Sequence, residues 1–191
     1  MDFKSYITGF VDGEGCFSVS FTKRSKLNTG IEVRPSFSVS QKKFSLDLLK
    51  KIHEYFTCGA IRYSKSDGVY KYEVRSLSDI TLYIIPHFQK YPLLTAKSKD
   101  FDLFVQICQM MTANLHRNHE YLAKIIDLAY QMNCSGKRKY QRKDLLKLLW
   151  DEDIVWSMAN SHTLGTFSSP RMRRADIEVP NLPVDVNSWG R

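Results

Sequence analysis

A chain of 191 residues and 22.2 kDa has room for one domain with a sizeable core, and its 43% hydrophobic and 25% charged content excludes a disordered or low-complexity protein. No apolar run approaches the ~20 residues that a membrane-spanning helix needs, and the longest, Ile80 to Phe88, contains Pro86. Lys and Arg number 28 against 20 acidic residues, a net charge of +8 that points to a polyanionic partner, nucleic acid first among them. The start, Met1-Asp2-Phe3-Lys4, has no apolar signal-peptide core, so export is not expected. Cys16, Cys58, Cys108 and Cys134 stand 42, 50 and 26 residues apart with no CxxC pair. That spacing argues against a zinc site and a disulfide framework, and for a reducing, intracellular home.

Ser5 to Val11 reads as a short helix with Ser5 as its cap, closed by the glycines of Asp12-Gly13-Glu14-Gly15. The period then changes from helical to alternating. Phe17, Val19 and Phe21 alternate with Ser18, Ser20 and Thr22, a half-buried strand. Past the turn Leu27-Asn28-Thr29-Gly30, Ile31, Val33, Phe37 and Val39 alternate with Glu32, Arg34, Ser36, Ser38 and Ser40, completing a hairpin. Ser45 to Phe56 has helical spacing, with Ser45 as N-cap. Gly59 to Lys65 and Val69 to Arg75 form a second hairpin through Ser66-Asp67-Gly68. Helical patterns follow at Ser78–Tyr91, Lys97–Thr112, Asn118–Met132 and Lys143–Trp150. The predicted class is α+β on antiparallel pairs, in the order αββαββα with further C-terminal helices. One domain is expected over residues 1–153, followed by an irregular tail over 154–191.

The strand faces opposite the core carry an unusual set of side chains. On the first hairpin they are Ser18, Ser20, Thr22, Arg24, Glu32, Arg34, Ser36, Ser38 and Ser40; on the second, Arg62, Ser64, Lys71, Glu73 and Arg75. Short hydroxyls, Arg, Lys and Glu read base edges in a major groove, which admits a two-stranded ribbon. A solvated sheet face favours the same residue types, and the net charge tips the balance toward recognition. Lys137-Arg138-Lys139 and Arg142-Lys143 place five charges in seven residues, suited to phosphates or simply to solvent. His116 and His119 lack a third metal ligand nearby and read as surface helix residues.

The sharpest local conflict is Asp12 and Glu14 at a helix C-terminus, where the dipole disfavours carboxylates by ~0.3–1 kcal/mol each. Acids placed against a dipole suggest a cation, commonly divalent. Gly9 and Gly13, four apart on one face, would let a second helix approach closely. The segment Tyr6-Ile7-Thr8-Gly9-Phe10-Val11-Asp12-Gly13-Glu14-Gly15 resembles the signature of the LAGLIDADG homing endonucleases. Phe37-Ser38-Val39-Ser40-Gln41-Lys42 and the stretch from Phe88 to Phe101 are similar to further blocks of that family. The likeness runs from about residue 5 to residue 112, in the order the elements already suggest.

The resemblance implies a site-specific endonuclease, of the kind encoded in introns or inteins, whose sheet sits in the DNA major groove. Only one signature is present; Leu148-Leu149-Trp150-Asp151-Glu152-Asp153 lacks the glycines. The family pattern then implies a homodimer on a long, near-palindromic target, with Gly9, Asp12 and Gly13 at the helix interface. It implies that Glu14 and the Gly13 carbonyl hold Mg²⁺ (or Mn²⁺ or Ca²⁺), while Gln41 and Lys97 order water and stabilise negative charge, with Lys99 beside them. Glu14 stands where Asp is commoner, and Ser45 where some relatives carry a basic residue. The family fold also serves RNA-binding maturases that help the host intron splice, and a cleavage-dead DNA-binding regulator is a third reading. The compartment stays open between bacterial cytoplasm and an organelle such as a mitochondrion or chloroplast.

Overall fold

The computed structural model describes residues 2–133 and 136–150; the expected tail, the domain boundary before it and Cys134 lie outside the described residues. α1 (Phe3–Glu14) begins before Ser5, because Asp2 rather than Ser5 is its cap. The Asp2 carboxylate accepts from the N–H groups of Lys4 and Ser5, both at 3.2 Å, and from the Ser5 hydroxyl at 2.8 Å. An acid wins this position because it accepts several of the helix's unpaired donors at the positive end of the dipole. The helix buries Ile7, Thr8 and Val11.

β1 (Gly15–Lys23) and β2 (Ile31–Gln41) pair as expected, with Gly30 at φ +66° closing the turn. After α2 (Leu46–Phe56), β3 (Ala60–Ser64) pairs with β4 (Val69–Val74). The hairpins merge because β2 also pairs with β4, Phe37 opposite Val74 and Gln41 opposite Tyr70, giving one antiparallel sheet in the order β1-β2-β4-β3. Ser45 occupies the cap position of α2 without a side-chain cap bond, since the chain enters through a 3₁₀ turn at Lys43–Ser45. Gly59 enters β3 at φ +77°, where a Cβ would meet the Glu73 carbonyl at 2.7 Å, so only glycine fits.

α3 (Leu77–Asp79), α4 (Ile85–Lys90), α5 (Lys97–Thr112), α6 (His119–Gln131) and α7 (Arg142–Trp150) complete the described chain. The αββαββα order and the later helices match expectation, and α6 is capped by Asn118, which accepts from the N–H groups of Glu120 and Tyr121. The single helix expected over 78–91 is instead broken by a π turn at Ile80–Ile84, where the Ile85 N–H bonds the Ile80 carbonyl. Pro86 has no N–H for the ordinary ladder, and the backbone changes register just before it. His119 opens α6 as expected, while His116 sits half-buried in a 3₁₀ helix, Leu115–Arg117, with Nδ1 buried and unpartnered among the described residues.

One sheet face carries Phe17, Val19, Phe21, Phe37, Val39, Tyr72 and Val74, all buried. α1, α2, α4 and α5 cover it with Ile7, Val11, Leu49, Ile52, Phe56, Phe88, Phe101 and Phe104. Phe17 is the hub: its ring centroid lies 5.2, 5.3, 5.1 and 5.4 Å from those of Phe37, Phe88, Phe101 and Phe104. Each such ring contributes ~1.5–3 kcal/mol through burial alone. One polar node lies under α1, where His87 is 5% exposed. Thr8 donates its hydroxyl to the Tyr91 carbonyl at 3.1 Å, so it accepts from His87 Nε2 at 3.3 Å, and His87 Nδ1 accepts from the Tyr55 hydroxyl at 3.1 Å. Burial keeps this satisfied imidazole neutral, its pKa pushed down to about 4.

Candidate active site and nucleic-acid interface

α1 runs directly into β1, which puts Asp12, Gly13 and Glu14 in the last helical turn, at one end of the sheet. Two acids at a negative helix terminus need relief, and the fold treats them differently. Asp12 accepts from the Leu94 N–H at 2.8 Å, the Thr95 N–H at 3.1 Å and the Thr95 hydroxyl at 2.6 Å. Burial opposes its charge, but these donors and the Lys97 ammonium hold its carboxyl below the usual range. Asp12 therefore ties the loop before α5 to α1. Glu14 is exposed and has no hydrogen-bond or ion-pair partner among the described residues.

The loop that Asp12 holds delivers Lys97, the first residue of α5, to the same helix end. Its Nζ donates to the carbonyls of Val11 at 2.9 Å, Gly15 at 2.5 Å and, more distantly, Gly13 at 3.5 Å. The ammonium thus caps α1 and offsets its dipole. Gln41 ends β2; the register that sets Gly15 opposite Val39 places it at the sheet end shared with Gly13 and Glu14. Lys99 is exposed two residues into α5. Cys16 starts the polar face of β1, its thiol pushed up by burial while Lys71 and Lys97 pull the other way. Glu14, Gln41 and Lys97, far apart in sequence, converge on one end of the sheet. On α1 itself, a Cβ at Gly9 or Gly13 would meet nothing within 4 Å, so that face is left uncovered by the described chain.

The polar sheet face has the expected membership. Ser18 lies opposite Ser36, Ser20 opposite Arg34, Thr22 opposite Glu32, Ser38 opposite Glu73, Ser40 opposite Lys71 and Arg62 opposite Lys71. Its two acids organise it. Glu32 bridges Arg24 at 3.0 Å and Arg34 at 2.8 Å, and the Arg34 bond leads the effects that hold its carboxyl below the ordinary value. Glu73, 10% exposed, pairs with Lys71 at 3.2 Å and Arg75 at 2.9 Å, and accepts from the Ser36 hydroxyl at 3.0 Å. Burial would raise the Glu73 pKa, yet Lys71, Ser36 and Arg75 together lower it. Expected as readers of bases, Glu32 and Glu73 are engaged as acceptors that fix the cations around them. Ser38 needs correction: it shares the face but is 5% exposed, enclosed on the central strand by its neighbours. Ser64 faces the hairpin turn, bonding Asp67 at 3.0 Å.

The run over 137–143 separates into two kinds of residue. Arg138 donates to the Ala129 and Met132 carbonyls at the end of α6, and Arg142 pairs with Asp127 at 2.8 Å. Their roles in the fold were hidden in the sequence because the acceptors are main-chain or on another turn. Lys137 and Lys139 stay exposed.

Comparison with known proteins agrees with this geometry. The pattern of the LAGLIDADG endonuclease family matches residues 7–108. A 50.9 kDa protein in ND4 intron 1 of Podospora anserina is 36% identical over 121 residues, 62% of this chain and 25% of the relative. The chain spans about a quarter to a half of the first curated relatives it matches. The archaeal intron-encoded homing endonuclease I-Vdi141I, solved with DNA, is 28% identical at TM-score 0.73, covering 80% of this chain and 98% of its own. I-SmaMI, solved on uncleaved DNA in the presence of calcium ions, is 29% identical at TM-score 0.68, covering 93% of this chain and 54% of its own. With the signature helix, the αββαββα order and the sheet all matched, this chain belongs to the LAGLIDADG endonuclease family.

Proposed function

We propose that the protein is an intron-encoded, divalent-metal-dependent homing endonuclease that cuts both strands of duplex DNA as a homodimer. Glu14 carries this reading. It is an unpartnered carboxylate at the negative end of a helix, beside Lys97 and Gln41, an arrangement that favours binding of a cation. A carboxylate and a main-chain carbonyl are hard oxygen donors, which suits Mg²⁺ and equally Mn²⁺ or Ca²⁺. Glu14 and the Gly13 carbonyl would hold the ion, which when bound polarises a phosphodiester and makes water a better nucleophile. Lys97, already anchored to α1, places positive charge where negative charge grows on the phosphate. Gln41, with a donor and an acceptor, orients water. The sheet's hydroxyls and ion-paired cations contact base edges and fix the register of the duplex.

One chain supplies one Glu14. The uncovered Gly9–Gly13 face of α1 accepts a second copy of the same helix, which would bring a second acid and require a near-palindromic target. The size relation supports this: the chain matches nearly all of I-Vdi141I but about half of I-SmaMI. An RNA-binding maturase or a cleavage-dead regulator would leave Glu14 without a task.

The test is selection from a randomised duplex library with the full chain, in Mg²⁺ and in chelator. The expected result is one near-palindromic site, cut only with metal. Enrichment of bound but uncut sequences in Mg²⁺ would overturn the proposal.

A further inference from the structure

On the sheet face, Arg62 is exposed without an acidic partner among the described residues, and the other cations are already engaged. Arg24, Arg34, Lys71 and Arg75 are each ion-paired to Glu32 or Glu73. Lys23, Lys137 and Lys139 are exposed and have no acidic partner among the described residues. Lys137 and Lys139 line a groove of about 480 Å³ whose floor includes Cys16, Ser18 and Ser20 on β1 and whose wall is the 136–140 segment, and Lys23 stands at its edge against Tyr140.

That wall is fixed in place. Arg138 donates to the Ala129 carbonyl at 2.5 Å and the Met132 carbonyl at 2.7 Å, with its guanidinium 4.5 Å from the Tyr130 ring centre. The Tyr130 hydroxyl donates to the Tyr140 carbonyl at 2.5 Å. The Nζ atoms of Lys23 and Lys139 lie 5.4 and 5.2 Å from the centre of the same Tyr140 ring. Two ammonium groups drawn to one ring, with no carboxylate between them, form a site for an anion. The groove also has direction. Its inner end, Cys16, is two residues from Glu14, and at ~3.3 Å per residue the strand from Cys16 to Lys23 runs ~23 Å, the rise of ~7 base pairs.

We infer that this groove is a track for one sugar–phosphate strand of duplex DNA, leading outward along β1 from the candidate active site. Lys23, Lys137 and Lys139 hold backbone phosphates, whereas Arg138 and Arg142 serve the fold. The inference rests on the endonuclease reading and adds the source of sequence-independent affinity: the rim at 136–140, with the paired cations of the sheet left to discrimination.

Titration of the full chain with a mixed-sequence duplex, between about 50 and 200 mM salt, tests this. In Lys137→Gln/Lys139→Gln, the slope of log affinity against log salt should become shallower by ~0.9 for each lysine lost per bound chain, with the thermal midpoint unchanged. Lys50→Gln/Lys51→Gln removes the same charge from α2 and should keep the wild-type slope. Arg138→Gln should lower the thermal midpoint and also keep the slope. An unchanged slope in the 137/139 variant, or an equal change in the α2 variant, overturns the inference and leaves the endonuclease reading intact. A wild type with no affinity for duplex DNA overturns both.

Discussion

The two faces of the sheet alternate residue by residue along the same strands and are held by different physics. On the helix-covered face, Phe17 and its four ring neighbours are secured by area and volume, which are non-directional. On the open face, four of the cations have a named acceptor at a set distance, Glu32 for Arg24 and Arg34, Glu73 for Lys71 and Arg75. The first face is sensitive to lost volume and to any buried polar group, the second to lost charge and lost hydrogen-bond geometry. On the proposed function, stability and recognition are thereby assigned to alternate residues, so either can change with little effect on the other.

The largest expected effect lies on the covered face. Phe17→Ala should cost ~3–5 kcal/mol, while Ser20→Ala on the same strand stays within ~0.5 kcal/mol, both read from urea midpoints. Similar losses at the two positions would break the comparison. Next comes His87, buried with both nitrogens bonded. Its folded pKa is depressed to about 4 from 6.5, so the unfolded chain takes up the proton first and stability falls as pH drops from 6.5 toward 4. The full loss is on the order of 3 kcal/mol. His87→Gln should flatten that part of the pH profile, and an unchanged slope would show that the imidazole titrates freely.

Glu73→Gln sharpens the other half of the contrast. Releasing Lys71 and Arg75 should strengthen binding to mixed-sequence duplex and reduce discrimination of the target by ~1–3 kcal/mol, measured by competition. Reduced affinity for every sequence equally would show that Glu73 only supports the fold. Gly9→Ala is the smallest change. With no atom in the described chain near the new methyl, the subunit should gain up to ~1 kcal/mol of helix propensity. Its self-association, followed by sedimentation, should weaken. An unaltered dimer would move the interface off this face of α1.

Local periodicity made most of the fold legible. The bounds of Lys97–Thr112 and the alternation from Phe17 to Val39 are legible because both depend on residues within one turn or one strand. The acid cap at Asp2 is not legible because Ser5 offers an equally plausible local signal. The β2–β4 pairing, the capping of α1 by Lys97 and the Arg138 bonds to α6 join positions whose partners are carbonyls or distant strands, which leave no period to read. In the candidate site, the acidic motif stood out through its conflict with the helix dipole. Its resolution into one bonded acid and one free acid depended on Leu94 and Thr95, some eighty residues away.

That division between Asp12 and Glu14 is the central claim, and substituting each in turn tests it most directly. Wild type, Glu14→Gln and Asp12→Asn would be compared for thermal midpoint, duplex binding and Mg²⁺-dependent cutting of the selected site. Glu14→Gln should keep the wild-type midpoint and affinity and lose cutting. Asp12→Asn should lose ~1–3 kcal/mol of stability as its charge-assisted bonds weaken. Cutting by Glu14→Gln at the wild-type rate would contradict the account.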